Sequence, residues 1–180
     1  GQMVKEAGVD CVKMEGGENV ADTMAAVVKA GIPVMGHIGM TPQSAASIGG
    51  YKSQGRNVAA ARKIICDAQT LEQTGAWAVL VEAVPARIAR FIADAVNIPV
   101  YGIGAGPDVD GQVVIVHDML GLFEAFKPKF VRRYAELGKQ MVTAFQSYKA
   151  DVKAGGFPGP EECYGISDEE YEALVAELGR

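Results

Sequence analysis

Lys13 and Glu15 stand two apart in the run VKMEGGE (residues 12–18), which then breaks at two glycines. Residues two apart on a strand share a face, so an ammonium and a carboxylate project together where the strand ends. Such a pair can hold a carboxylate substrate and a divalent metal, or it can be a structural ion pair. Glu82 closes AWAVLVE just ahead of Pro85 and is the only charge in that run. A carboxylate facing an apolar pocket can act as a general base near neutral pH. The plainer alternative is an acid serving the dipole of the helix that VPARIARF begins. His37 closes PVMGHIG and reads either as a supporting group or as a satisfied core histidine. His117 and Asp118 would face opposite sides of a strand, which weakens them as an acid–histidine pair. GIGAG can offer backbone N–H groups to an anion or permit close approach of chains. Trp77 is expected between strand and helix, and Lys127, Lys129, Arg132 and Arg133 on a solvated face.

These groups are placed by a repeated unit. KEAGVDCVKME, VKAGIPVMGHI, EQTGAWAVLVE and DAVNIPVYGIG each close a helix with Gly or Asn and open an apolar, β-branched run. QVVIVHD is expected as a fifth strand with no helix before it. Between the runs, ENVADTMAAVVKA, NVAAARKIICDAQTLEQ and PARIARFIADAV carry apolar residues at helical spacing. Nearly continuous hydrophobic strands alternating with such helices predict a parallel sheet. All the candidate groups fall at the carboxyl ends of strands, where a (βα)8 barrel builds its active site. GIGAGPDVDG opens no helix, so the dinucleotide-binding fingerprint is lacking. The expectation is α/β, a TIM barrel with about five of its eight strands. GQMVKEAG reads as the last turns of a helix closed by Gly8, and three units are expected ahead of it. Helices are expected after Pro128, a break at GGFPGP, and a short acidic helix capped by Ser167. Residues 1–158 are thus expected to form the C-terminal part of a single barrel, and 159–180 a peripheral tail.

Composition sets the outer bounds. With 180 residues, 49% hydrophobic and 22% charged, the chain reads as an ordinary soluble globular protein. A net charge of −5 with scattered basic residues argues against a nucleic-acid partner. Cys11, Cys66 and Cys163 have neither disulfide-framework nor zinc-site spacing, which points to the reducing cytoplasm. No run is long and apolar enough for a membrane span, and no signal-peptide pattern opens the chain.

VKMEGGE, GIPVMGHIGMTPQS, GGYKSQGR, VLVEAVP, IPVYGIGAGPDVDGQVVIVHDMLG and PKFVRRYAEL together make the chain, from about Gly8 to Pro158, resemble the ketopantoate (3-methyl-2-oxobutanoate) hydroxymethyltransferase family. The resemblance implies a (βα)8 barrel of the phosphoenolpyruvate/pyruvate type. It implies transfer of a hydroxymethyl group from 5,10-methylenetetrahydrofolate to α-ketoisovalerate through a Mg²⁺-stabilised enolate, in pantothenate and coenzyme A biosynthesis. By motif, Lys13 would bind the keto acid, Glu15 would be associated with magnesium, and Glu82 would be the proton acceptor. A homo-oligomer, a decamer, is implied as well. Departures are Ala83, where the family usually has cysteine, and Ala45 and Ala46, where it has a bulkier pair. Two aspartates for magnesium and a serine for substrate, which the family draws from its first three strands, have no counterpart here. Alternatives are another metal-dependent lyase or mutase acting on a small 2-oxo acid, and a non-catalytic barrel fragment.

Overall fold

Glycine and asparagine at the ends of helices turn the chain into each strand, and the strands line up in the order of the sequence. The computed structural model describes residues 1–44, 46, 50 and 52–179. Helix α1 (Gln2–Ala7) ends at Gly8, whose φ of 66° lets its N–H reach back to the Met3 carbonyl. Strand β1 (Val12–Glu15), helix α2 (Ala21–Lys29), strand β2 (Val34–Gly39), helix α3 (Val58–Gln73), strand β3 (Ala78–Glu82), helix α4 (Ala86–Ala95) and strand β4 (Val100–Ile103) follow. Asn57 caps α3 by accepting from the Ala60 N–H at 2.9 Å. With the short strand β5 (Gly111–Gln112), the sheet is five-stranded, ordered β1-β2-β3-β4-β5, and parallel throughout.

Alternation along the strands divides the sheet into two chemically different faces. Val12, Met14, Val34, Ile38, Val79, Val81 and Val100 point to one side and form the core with Met24, Ile64, Leu71 and Ile92 of the helices. Gly36 belongs to this face because a Cβ there would lie 2.5 Å from the Leu71 side chain. The other face carries Lys13, Glu15, His37 and Glu82, along with Leu80 and Tyr101. Covered by helices along β2, β3 and β4, the sheet places its polar residues on the second face, at the strand ends.

Several expectations change beyond β4. QVVIVHD does not form a strand: pairing stops at Gln112, with one further bond from the Val113 N–H to the Gly102 carbonyl. Val113, Val114, Ile115 and Val116 are 39–50% exposed, so their β-branched side chains have no layer to pack against and their strand preference has nothing to act on. His117 and Asp118 lie instead in a single turn, α5 (Val116–Met119). The long helix α6 (Leu137–Ala154) starts well after Pro128. The segment before it is irregular: a turn closed by the Val131 N–H on the Pro128 carbonyl is followed by bonds from the Tyr134 and Leu137 N–H groups to the Met119 and Leu120 carbonyls. Trp77 is 39% exposed and meets Tyr101 edge-on at 6.3 Å instead of sitting between strand and helix. Ser167 caps α7 (Asp168–Leu178), accepting from the Glu170 N–H at 3.3 Å. Neither α6 nor α7 buries a residue. Among the described residues, no helix is long and apolar enough to cross a membrane.

Candidate active site

Register brings together residues that the sequence spreads over some seventy positions. Glu15 pairs with His37 across β1 and β2, and Gly39, two residues beyond His37, pairs with Glu82 on β3. Lys13, Glu15, His37 and Glu82 therefore share one face at the carboxyl end of three neighbouring strands. The Lys13 ammonium lies 3.3 Å from Glu15 Oε1 and 3.0 Å from His37 Nδ1. His37 Nδ1 is 3.5 Å from the same Glu15 oxygen, and Nε2 is 3.0 Å from Glu82 Oε2. His37 is only 2% exposed and stands between the two carboxylates.

An ammonium has donors and no acceptor, so Lys13 can bond only to an unprotonated Nδ1, which assigns the imidazole proton to Nε2, facing Glu82. The Nε2 contact with Glu82 is at ion-pair distance but off the line of a made hydrogen bond. We read it as electrostatic proximity, since an imidazole this buried has only small rotations open to it. The remaining oxygen of Glu15, Oε2, accepts the Gln43 N–H at 3.0 Å.

Backbone geometry fixes Glu82 from three sides. Its carbonyl accepts the Met40 N–H at 2.9 Å, and Ala83 bonds through its N–H to Ile103 and through its carbonyl to the Gln54 N–H. Ala83 holds φ at 50°, a left-handed conformation costing a residue with a Cβ about 1–2 kcal/mol. Gly39 has φ 92°, and a Cβ there would sit 2.3 Å from the Glu82 carbonyl oxygen. The chain thus turns sharply right after the carboxylate.

The turn after Glu15 is held from beneath. Buried Asp67 of α3 accepts the Glu18 N–H at 2.9 Å and pairs with Lys63 at 3.1 Å, while Asn19 accepts the Gly17 N–H. A Cβ on Gly17 would lie 2.1 Å from the Asp67 carboxyl group, so glycine alone fits. Sequence reasoning passed over Asp67, Gln43 and the Ala83 backbone. For Asp67 a signal existed, an acid on the otherwise apolar face of α3. Gln43 acts through its backbone N–H, which side-chain types do not announce.

Other candidates stay apart. No hydrogen bond or ion pair links His117 or Asp118 to the cluster. In GIGAG, a Cβ on Gly106 would meet Ala86 at 2.3 Å, which favours the close-approach reading of these glycines. Gly49 and Tyr51 of GGYKSQGR, and Ala45, lie outside the described residues. Among the described residues, no group of three or more carboxylate, imidazole or thiol side chains converges to hold a metal ion. Of the two carboxylates in the cluster, Glu15 already meets Lys13, His37 and Gln43 through its two oxygens, and Glu82 faces His37. Magnesium asks for near-octahedral oxygen coordination, which this donor set does not supply by itself.

A family model described as ketopantoate hydroxymethyltransferase matches residues 1–160. The 3-methyl-2-oxobutanoate hydroxymethyltransferase of Alkaliphilus metalliredigens is 53% identical over 179 residues, covering 98% of this chain and 63% of that protein. The protein of the same name from Moorella thermoacetica is 51% identical over 164 residues, covering 91% and 61%. That from Oleidesulfovibrio alaskensis is 52% identical over 169 residues, covering 94% and 58%. The chain spans 58–63% of the length of these relatives.

Proposed function

Because the chain belongs to the ketopantoate hydroxymethyltransferase family, we propose that it carries the proton acceptor and the keto-acid cation of an enzyme moving a hydroxymethyl group from 5,10-methylenetetrahydrofolate to α-ketoisovalerate. The observation that carries this reading is the convergence of Lys13, Glu15, His37 and Glu82 on one face at the carboxyl ends of β1–β3. Glu82 takes the proton from C3 of the keto acid, and the electrons of that C–H bond form the enolate. The enolate carbon then bonds to the methylene carbon as one of its two carbon–nitrogen bonds to the folate breaks, and water supplies the hydroxyl as the second breaks, releasing tetrahydrofolate. Lys13, 42% exposed at its side chain, is the cation able to turn from Glu15 to a substrate carboxylate. His37 supports both, holding its Nε2 against Glu82 and its Nδ1 against Lys13.

Magnesium, when bound, would stabilise the developing enolate charge. Glu15 would be the ligand this chain contributes, and the described residues supply no sufficient set around it. The reading also takes residues 1–158 as part of a single catalytic barrel and 159–180 as its peripheral tail, in a cytoplasmic homo-oligomer of ten subunits. Three exposed free cysteines agree with a reducing compartment, and the oligomer rests on the resemblance alone.

The test is Glu82→Gln in the assembled enzyme, followed by deuterium exchange at C3 of α-ketoisovalerate by proton NMR. Exchange should slow by about a hundred- to ten-thousandfold, with keto-acid binding retained. Exchange at the unsubstituted rate would reassign the base.

A further inference from the structure

Among the described residues, the buried polar side chains are His37, Thr41, Asp67 and Glu82. His37 and Glu82 belong to strands of the site and Thr41 follows β2 directly, whereas Asp67 stands on α3, in the helical layer on the opposite side of the sheet. An acid is buried only where partners hold it. Asp67 Oδ1 accepts the Glu18 N–H at 2.9 Å and meets the Lys63 ammonium at 3.1 Å. The Lys63 side chain is 61% exposed, so that pair is a surface ion pair and contributes little. The bond to the Glu18 N–H is the one that reaches toward the site.

Between Glu15 and Glu18 stand only two glycines. Gly16 holds φ at 125°, and neither residue has a side chain to limit the course of the chain. Pairing of β1 with β2 ends at Glu15 and His37, followed by one bond from the Gly16 N–H to the His37 carbonyl at 3.0 Å. Beyond that, Asn19 bonds within the turn itself, and Asp67 anchors it from another layer, 49 positions along the chain. A Cβ on Gly17 would lie 2.1 Å from the Asp67 carboxyl group, so the acid presses directly on the turn backbone.

We propose that Asp67 is a positioning residue for keto-acid binding: from behind the sheet it fixes the end of β1, and with it Glu15 and the Lys13 ammonium 3.3 Å away. The inference rests on the keto-acid reading given above. Glu82 is fixed by contacts that bypass Asp67, since its carbonyl accepts the Met40 N–H and the Ala83 N–H bonds to the Ile103 carbonyl. Loss of the Asp67 anchor therefore disturbs the cation and leaves the base in place. Binding and proton abstraction separate.

The experiment measures, in the assembled enzyme, the dissociation constant of α-ketoisovalerate by isothermal titration calorimetry and the C3 deuterium exchange rate at saturating keto acid. Asp67→Ala, and Asp67→Leu as a variant that fills the space without an acceptor, should weaken binding by about three- to tenfold, the scale of one hydrogen bond. Saturated exchange should stay within about twofold, as expected for a separately held group. Asp67→Asn keeps an acceptor oxygen and should restore binding, and Lys63→Gln should leave it unchanged. An unaltered dissociation constant in the Ala and Leu variants overturns the proposal, even where binding stoichiometry or thermal stability falls, because that is the mark of a merely structural role. Weak binding that persists in Asp67→Asn overturns it as well. Absent C3 exchange in the unsubstituted enzyme counts against Glu82 as the base and leaves the binding comparison standing; absent keto-acid binding there overturns the functional reading and this proposal with it.

Discussion

His37 is the residue on which the others converge, because an imidazole buried to 2% between two carboxylates and an ammonium has one proton to place and three neighbours that constrain it. Lys13 fixes that proton on Nε2 for as long as the ammonium stays against Nδ1. Under the proposed function, a substrate carboxylate drawing Lys13 away would release the imidazole and so link keto-acid binding to the contact made with Glu82 through one ring. Lys13→Ala should weaken binding of α-ketoisovalerate by about ten- to a hundredfold, the range for a charged hydrogen bond. Calorimetric titration of the keto acid measures this, and an unchanged dissociation constant would remove Lys13 from the role. Ala83 tests the adjacent backbone. Replacing it by glycine at φ 50° relieves left-handed strain and gives back part of the gain as chain entropy, leaving a net stabilisation of about 0.5 kcal/mol. Urea unfolding should show a higher midpoint with an unchanged slope. A lower midpoint would mean that the methyl group contributes contacts outweighing the strain.

Each strand end is fixed by an element that does not touch the reacting groups. Asp67, on α3, holds the turn after Glu15 through the Glu18 N–H. Asp67→Ala should therefore cost about 1–3 kcal/mol, the range for a hydrogen bond to a charged acceptor, because the Glu18 amide loses its carboxylate partner. The specific readout is hydrogen exchange at the Glu18 amide, which should quicken more than exchange in β2 or β3; equal changes everywhere would make Asp67 a general stabiliser. Element boundaries written in local chemistry were legible in the sequence: Gly8 closing α1 and Ser167 opening α7. So was the shared face of Lys13 and Glu15, which needs only the period of a strand. What escaped depends on partners far along the chain. QVVIVHD has the composition of a strand but lacks a covering layer, and the segment after Pro128 trades helical bonds for carbonyls near α5. His37 could be read as the end of one strand, but its place between Glu15 and Glu82 follows from register across β1, β2 and β3, which composition does not encode.

At the scale of the molecule, the sheet ends in two open edges, β1 and β5, while α6 and α7 carry unburied apolar side chains such as Met141, Phe145, Tyr171 and Leu178. Unpaired strand edges and apolar helix faces favour association. The 180-residue chain purified by itself should accordingly sediment as concentration-dependent oligomers in the micromolar range; a monomer with cooperative unfolding across that range would contradict this. The strand order has a further consequence for how the chain is made. Each of β2 to β5 bonds to the strand synthesised immediately before it, so a nascent chain leaving the ribosome finds each of these partners already in place. Lys13, Glu15, His37 and Glu82 all belong to β1, β2 and β3. The three strands that carry the cluster can therefore pair before β4 has been translated, and β4 then supplies the Ile103 carbonyl that holds the Ala83 N–H and fixes the backbone after Glu82.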